Sequence, residues 1–320
     1  MSPQASNHAL GAVIVTYNSA EFVGRCLRSI ENLAQVVVVD NASTDRTCAI
    51  VEEASPNAIL LRNETNRGFA AAVNQGVRTL STPLLLVLNP DAELLAPLTD
   101  DHPLLERARQ AETGVVGGKL VDEDGAYQRG FAVRGFPSPW TLAAETLLLN
   151  RLWPGNPINR AYRRLDFDPD RAQPCEQPAG ALLAFRREIF ERTGGFDERF
   201  YPLWFEDADF CWSVRDAGFQ NFYEPAAVAR HYGAHSLKGL SLRKRQAAWY
   251  GSLLRFTEKR FSPRTAAWMR PVVALGLAAR AVAGGGRDQR RAYWAAMREV
   301  WTADLEHPPT GVRPEGAPVP

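Results

Sequence analysis

Cysteine is scarce: the 320-residue chain has four, Cys26, Cys48, Cys175 and Cys211, none in a C-x-x-C pair. That excludes a disulfide-stapled scaffold and offers no zinc pattern, so the thiols are expected to be reduced and mostly buried. No apolar run approaches the roughly 20 residues that a membrane span needs, which argues against a polytopic membrane protein. A basic segment followed by a long apolar core is missing at the N-terminus. No signal peptide is therefore read, and a cytoplasmic chain is expected. Internal repeats are also missing. Net charge is nearly so, at +1.

The near-zero total hides an uneven distribution. From Arg230 to Pro320, Lys and Arg outnumber Asp and Glu 16 to 6; before that they are outnumbered 21 to 30. A basic tail on an acidic body suggests an anionic partner, such as a membrane, a lipid diphosphate or nucleic acid. A solvated helix surface would look the same. The remaining composition, 45% hydrophobic and 23% charged, is that of a globular protein able to bury a large core. Its length allows two domains, or one large α/β domain with additions.

The first half alternates strand-like and helix-like segments. Strands are expected at 12–16, 36–39, 58–61 and 84–88, and helices at 21–33, 47–54 and 69–79. Continuous apolar strands separated by helices imply a mostly parallel sheet covered on both faces. Ligands bind such sheets beyond the carboxyl ends of the strands. Polar residues gather at those ends: Thr16, Tyr17 and Asn18; Asp40 and Asn41; Asn89 and Asp91. Residues 130–175 are rich in Arg, Pro, Trp and Asn with little periodicity, and read as a partly helical insertion near a substrate site. A strand follows at 177–186, then helices at 187–193 and 207–217, and helical patterning from Leu240 onward.

Five motifs stand in one order: Thr16-Tyr17-Asn18, Val38 to Asp45, Asn66 to Ala70, Asn89-Pro90-Asp91 and Phe205-Glu206-Asp207-Ala208-Asp209. Over roughly residues 10–236 this order resembles family 2 inverting glycosyltransferases of the GT-A fold. Within that family it is most similar to the rhamnosyltransferase-like branch of bacterial envelope polysaccharide assembly. The resemblance implies a GT-A α/β catalytic domain over 10–236, a basic helical extension over 237–305, and a Pro/Gly-rich tail over 306–320 expected to be disordered.

What the resemblance implies for each motif can be set beside its chemistry. Asp40 ends a buried strand, where a carboxylate is costly unless paired. It would accept the imide N–H of uracil or thymine, or else serve a turn. Thr16, Tyr17, Asn18 and Asn41 would line the base and ribose pocket, although Tyr17 would serve equally as a core residue and Asp45 as a helix cap. Gly68 permits a tight turn before a helix whose N-terminus suits an anion, and Arg67 would reach the donor diphosphate or sugar. Asn89-Pro90-Asp91 stands where the family carries Asp-x-Asp, with Asn for the first Asp. Asp91 would hold Mg²⁺ or Mn²⁺ arriving with the nucleotide-sugar. His231 would complete that site, with Arg230, His235, Ser236 and Lys238 around the leaving group.

Three acids within four residues repel one another, so folding alone gives little reason for Glu206-Asp207-Ala208-Asp209, although they suit a helix start. An inverting transferase needs one carboxylate as general base toward the acceptor hydroxyl. By its match to the motif that is Asp207, with Glu206 and Asp209 orienting it or binding acceptor. Trp204, Gly180 and Ala181 resemble the acceptor wall. The implied donor is dTDP-L-rhamnose, with UDP-sugars as the alternative, and the implied acceptor is a glycan or a polyprenyl-diphosphate-linked glycan.

Trp249, Phe256, Phe261, Trp268, Val272, Leu275 and Leu277, interleaved with Lys and Arg, read as helices lying on the inner face of a membrane. A helical layer on the catalytic domain or a homodimer interface would also account for them. Nucleic-acid binding is not expected. Two rival functions stay in view: a sugar nucleotidylyltransferase, which would want a Gly-rich basic loop after the first strand, and a non-catalytic nucleotide-sugar-binding module.

Overall fold

The computed structural model describes residues 7–233 and 240–305. His235, Ser236, Lys238 and the tail from 306 lie outside the described residues.

The chain alternates at first: β1 (Asn7–Thr16), α1 (Val23–Arg28), β2 (Leu33–Asp40), α2 (Thr47–Ala54), β3 (Ile59–Arg62), α3 (Phe69–Thr79) and β4 (Leu84–Leu88). It continues through β5 (Ala92–Leu94), α4 (Pro103–Arg109), β6 (Thr113–Val121) and β7 (Val133–Arg134). Helices α5 (Pro139–Thr146), α6 (Leu149–Leu152) and α7 (Pro157–Tyr162) precede β8 (Gln173–Pro174), β9 (Gln177–Pro178) and β10 (Leu182–Arg186). Then come α8 (Arg187–Thr193), α9 (Glu206–Asp216), β11 (Gln220–His231), α10 (Leu242–Arg260), α11 (Pro263–Ala283) and α12 (Arg287–Thr302).

Nine strands form one sheet in the order β3-β2-β1-β4-β10-β6-β11-β5, with β8 paired to β11. β1, β2, β3, β4, β6 and β11 share one direction, whereas β10, β5 and β8 oppose it. The sheet is therefore mostly parallel, as the alternating pattern predicted. Side chains divide by the two-residue period of a strand. Leu10, Ala12, Ile14, Val36, Val38, Leu84, Leu86 and Leu88 pack in the core on one face. Val13, Val15, Val37, Val39, Leu85 and Val87 pack on the other.

Two differences from the expected elements matter. The helix expected over 21–33 ends at Arg28, and Leu33 instead opens β2. The run expected as one strand over 177–186 is interrupted at Ala179-Gly180-Ala181, between β9 and β10. That interruption falls beside the site.

The C-terminal helices build a third core. Phe256, Leu277, Met269, Val273, Ala296 and Val300 pack with Leu142, Phe200 and Ala208 of the α/β portion. Trp249, Phe261, Trp268 and Val272 pack against the same cluster, whereas Leu275 is exposed. Most of the residues expected to face a membrane thus hold a helical layer together. α11 is nevertheless long and apolar enough, by length and composition, to cross a membrane, which the sequence reading had missed. It contains Pro271 within its span. One of its faces, Met269, Val273, Gly276, Leu277 and Ala281, is buried.

Candidate active site

The sheet register assembles the motifs at one edge. Thr16 pairs with Asp40, Ile14 with Leu88, and Leu88 with Leu182. The loops after β1, β2 and β4 and the loop before β10 therefore meet at the carboxyl ends of the parallel strands.

At the β1–β2 side, Asp40 is 2% exposed. Its oxygens accept from Thr16 Oγ1 (2.8 Å), the Ser43 amide (2.9 Å) and the Ser43 hydroxyl. Thr16 is fully buried beneath it rather than lining an open pocket. Asn18, in left-handed backbone at φ 50°, accepts from the Thr44 amide at 2.8 Å. Asp45 accepts from the amide of Thr47, the first residue of α2, and from the amide of Ala20. These bonds stitch the loop after β1 to the loop after β2, leaving half-buried Tyr17 and exposed Asn18 on its outer side.

Asn41 and Gly68 are used differently from expectation. The Asn41 side chain donates to the Gly68 carbonyl and accepts from Asn63, fixing the loop before α3. Gly68 has φ 84°, and a Cβ there would stand 2.9 Å from the Tyr201 ring. The Phe69 amide, first in α3, donates to the Pro202 carbonyl. The close approach that Gly68 permits is thus to the Tyr201-Pro202 segment, whose Pro202 carbonyl takes the first amide of α3. Arg67 is exposed and donates to Gln75.

Asp91 and His231 do meet, because β5 folds back on β11 and pairs Ala92 with His231. His231 Nε2 lies 3.5 Å from Asp91 Oδ1. The state of the ring follows from its other neighbours. Gln128 Nε2 donates to the His231 carbonyl at 2.7 Å, so Gln128 Oε1 is the atom facing Nδ1, at 3.0 Å. An oxygen there requires the proton on Nδ1. Phe131 stacks on the imidazole, which is 4% exposed. Burial pushes its pKa down, against the opposing pull of the Asp91 charge. With the proton on Nδ1, the neutral form of the ring turns its Nε2 lone pair toward that carboxylate oxygen. Two acceptors facing each other at that distance suit a shared cation. Among the described residues, no group of three or more His, Cys, Asp or Glu side chains gathers for a metal. The remaining ligands would have to come from substrate and water. Arg230 instead pairs with Glu93 at 3.8 Å.

The three acids of α9 separate. Asp207 is half-buried and lines a cleft of ≈ 240 Å³ with Trp204, Trp249, Arg134, Tyr162 and Arg163. Its Oδ2 accepts from the Gly180 amide at 3.1 Å and its Oδ1 from the Ala208 amide at 2.7 Å. Gly180 is small because Asp207 is there: a Cβ would stand 3.1 Å from the Asp207 Cβ. Ala181 is buried in the sheet core, and its carbonyl accepts from the Asn89 amide at 3.0 Å. Neither lines the cleft; Trp204 does. Trp204 and Phe205 both adopt left-handed backbone, at φ 80° and 71°, a costly turn that aims the start of α9.

Glu206 turns inward. It is buried, and its Oε2 lacks a hydrogen-bond partner. Burial first, then the charge of Asp207, raises its pKa well above the carboxylate range. Asp209 is also not in the cleft. It is held by Lys259 Nζ at 2.8 Å and Arg260 Nε at 2.7 Å, and so ties α10 to α9. The expectation that Asp209 touches acceptor fails for that reason.

Sequence reasoning missed Gln128, Phe131, Arg134, Glu145, Tyr162 and Arg163. Five of them border the cleft, and the aromatic and arginine enrichment around 130–175 was their sole signal. Trp249, expected at a membrane, lines the cleft instead.

Comparison with known proteins agrees with this geometry. Residues 12–193 match the sequence model of glycosyl transferase family 2. The chain is 32% identical over 246 residues to an N-acetylglucosaminyl-diphospho-decaprenol L-rhamnosyltransferase of Mycobacterium tuberculosis, covering 71% of this chain and 77% of that one. It is 24% identical to the low-salt glycan biosynthesis hexosyltransferase Agl10 of Haloferax volcanii, over 64% of this chain and 61% of that one. Among solved structures, the mannosyltransferase PcManGT from Pyrobaculum calidifontis, in complex with GDP-Man and Mn²⁺, superposes with a TM-score of 0.50 at 19% identity, covering 94% and 87% of the two chains. GalNAc-T7 with UDP, GalNAc and Mn²⁺ superposes at 0.57 and 14% identity, covering 92% of this chain and 56% of that one. The fold is that of GT-A glycosyltransferases.

Proposed function

The chain belongs to glycosyl transferase family 2, and from that premise we propose that it is a metal-dependent, inverting L-rhamnosyltransferase. Its donor is dTDP-L-rhamnose, and its acceptor a sugar carried on a polyprenyl diphosphate, as the Mycobacterium relative's name states for that protein.

One observation carries the reading. Two hydrogen bonds at consecutive residues, the Gly180 amide donating to Asp207 and the Ala181 carbonyl accepting from the Asn89 amide, connect a carboxylate in an open cleft to the Asn89-Pro90-Asp91 turn. A base and an anion-handling turn are thereby held on one rigid strand end. A binding module would have no need of that coupling.

The chemistry follows from the side chains. Asp207, fixed by two backbone amides, takes the proton from the acceptor hydroxyl as that oxygen attacks the anomeric carbon. The nucleoside diphosphate departs from the opposite face, so configuration inverts in one displacement. Asp91 and His231 Nε2 would hold Mg²⁺ or Mn²⁺, which when bound supplies charge neutralisation at the leaving diphosphate. Gln128 keeps the Nδ1 proton in place and so keeps the Nε2 lone pair available. The β1–β2 loops, with Tyr17 and Asn18 outermost and Asp40 beneath, would receive the base and ribose.

A donor screen tests this. The protein with Mn²⁺ is offered dTDP-rhamnose, UDP-glucose, UDP-galactose, UDP-N-acetylglucosamine and GDP-mannose, and release of nucleoside diphosphate is followed. Turnover of dTDP-rhamnose that chelation, Asp91→Ala and Asp207→Asn each abolish is expected. Preferential turnover of a UDP-sugar would replace the donor assignment, and activity retained in Asp207→Asn would sink the base.

A further inference from the structure

Beside the Asp207 cleft lies a second cavity of ≈ 340 Å³, and the two share Trp204, Trp249 and Glu145. Arg151, Arg245 and Arg280 converge on it. Arg280 is spent on the backbone, donating to the carbonyls of Thr146, Gly276 and Glu145. The cavity's single acid, Glu145, is engaged by Asn150 at 2.7 Å and Arg163 at 3.6 Å. Arg151 and Arg245 are exposed, and neither guanidinium has a hydrogen bond or ion pair among the described residues. Most other arginines lining these cavities have partners. Past Arg151, the lip formed by α5 and α6 presents Leu147, Leu149, Leu152 and Trp153 to solvent, at 43%, 38%, 81% and 58% exposure.

We propose that this second cavity binds the diphosphate of a lipid-linked sugar acceptor, with Arg151 and Arg245 as its anion-binding side chains. The inference rests on the reading of the cleft as a glycosyl acceptor site and says where the rest of that acceptor lies. The Asp207 cleft is joined through Trp204 and Trp249 to the cavity that Arg151 and Arg245 line, and exposed apolar side chains flank Arg151 in the chain. A sugar hydroxyl, a sugar ring, a diphosphate and a prenyl chain follow one another along a lipid-linked sugar diphosphate. Aromatic faces suit the apolar faces of a sugar ring, and a planar guanidinium suits phosphate oxygens. A cluster of exposed Leu and Trp is otherwise hard to account for on a water-facing lip.

The test compares two acceptors with dTDP-rhamnose as donor. One is N-acetylglucosaminyl diphosphate on a short prenyl chain; the other carries the same sugar and chain joined directly, without the diphosphate. The wild type is expected to favour the first. In Arg151→Ala and Arg245→Ala the ratio of kcat/KM between the two acceptors should fall by about tenfold or more each, the usual worth of one charge-assisted hydrogen bond. Lysine at either position should restore part of the ratio. A wild-type preference that survives both alanine variants would overturn the assignment and leave the proposed function standing. Loss of rate in equal proportion on both acceptors would overturn it as well, because the arginines would then act on something other than the diphosphate. A wild type that transfers rhamnose to neither acceptor would overturn the proposed function and this inference together.

Discussion

Asp209→Ala should unfold the α9–α10 junction without touching the chemistry. The Asp209 side chain is 2% exposed and Arg260 is 8% exposed. Removing the carboxylate leaves a buried guanidinium short of its main counter-charge, which typically costs about 3–5 kcal/mol. The lower end applies here. Lys259 keeps Asp197 at 2.7 Å, and Arg260 keeps Asp216 at 3.1 Å together with the Ser213 hydroxyl. Against a total stability of about 5–15 kcal/mol for an ordinary domain, even 3 kcal/mol is large. Urea unfolding followed by tryptophan fluorescence reads the loss, and hydrogen exchange should place it in α10. A double variant, Asp209→Leu with Arg260→Met, should recover part of it, because the most deeply buried pair is removed together while Lys259 keeps Asp197. Asp207→Asn is the control. Its half-buried side chain is not paired with Lys259 or Arg260, so the loss should be limited to one of its two backbone-amide hydrogen bonds, about 1 kcal/mol. An Asp209→Ala protein as stable as wild type but inactive would refute this reasoning and return Asp209 to the acceptor site.

Three further outcomes are expected. Asp207→Asn should lower kcat by about 10²–10⁴-fold, the usual worth of a general base, while donor-nucleotide affinity measured by calorimetry stays within experimental scatter. Glu206→Gln should gain stability on wild type as pH rises. The unfolded chain releases the Glu206 proton near 4.5, whereas burial raises the folded value well above that. Wild-type stability is therefore lost progressively above that pH, and Gln has no proton to lose. A stability difference that does not change between pH 4 and 8 would contradict the buried, protonated Glu206. Gln128→Leu should free the imidazole tautomer and weaken Mn²⁺ binding in the presence of donor nucleotide by about 10–100-fold. Manganese paramagnetic resonance would read this directly, and unchanged binding would remove Gln128 from the site.

Much of the N-terminal half was legible from local pattern. The helices at 47–54 and 69–79 and the strand at 84–88 have the limits that periodicity and the turn residues set. Illegible were β6, β11 and the two-residue strands β7 and β8, which carry weak signals of their own and are defined by their partners. The Gly180 break is a case in point. Its run reads as continuous β-structure, and nothing in it announces that α9 will press a carboxylate against residue 180.

By itself the sequence determined the family, the order of the motifs and the carboxyl ends of the strands as the place where several of them meet. Each of these depends on short segments whose hydrophobic period and turn chemistry are local. Tertiary structure alone divided the acids of α9. Glu206 and Asp209, three residues apart, lie on nearly the same face of the helix, yet Asp207 meets the cleft, Glu206 the interior, and Asp209 two cations some 50 residues away in the chain. It also brought His231 to Asp91 and Gln128 to His231, and turned Trp249 from a supposed membrane contact into a wall of the cleft. Those outcomes depend on which surfaces are buried together, and burial is a property of the whole packing rather than of any segment.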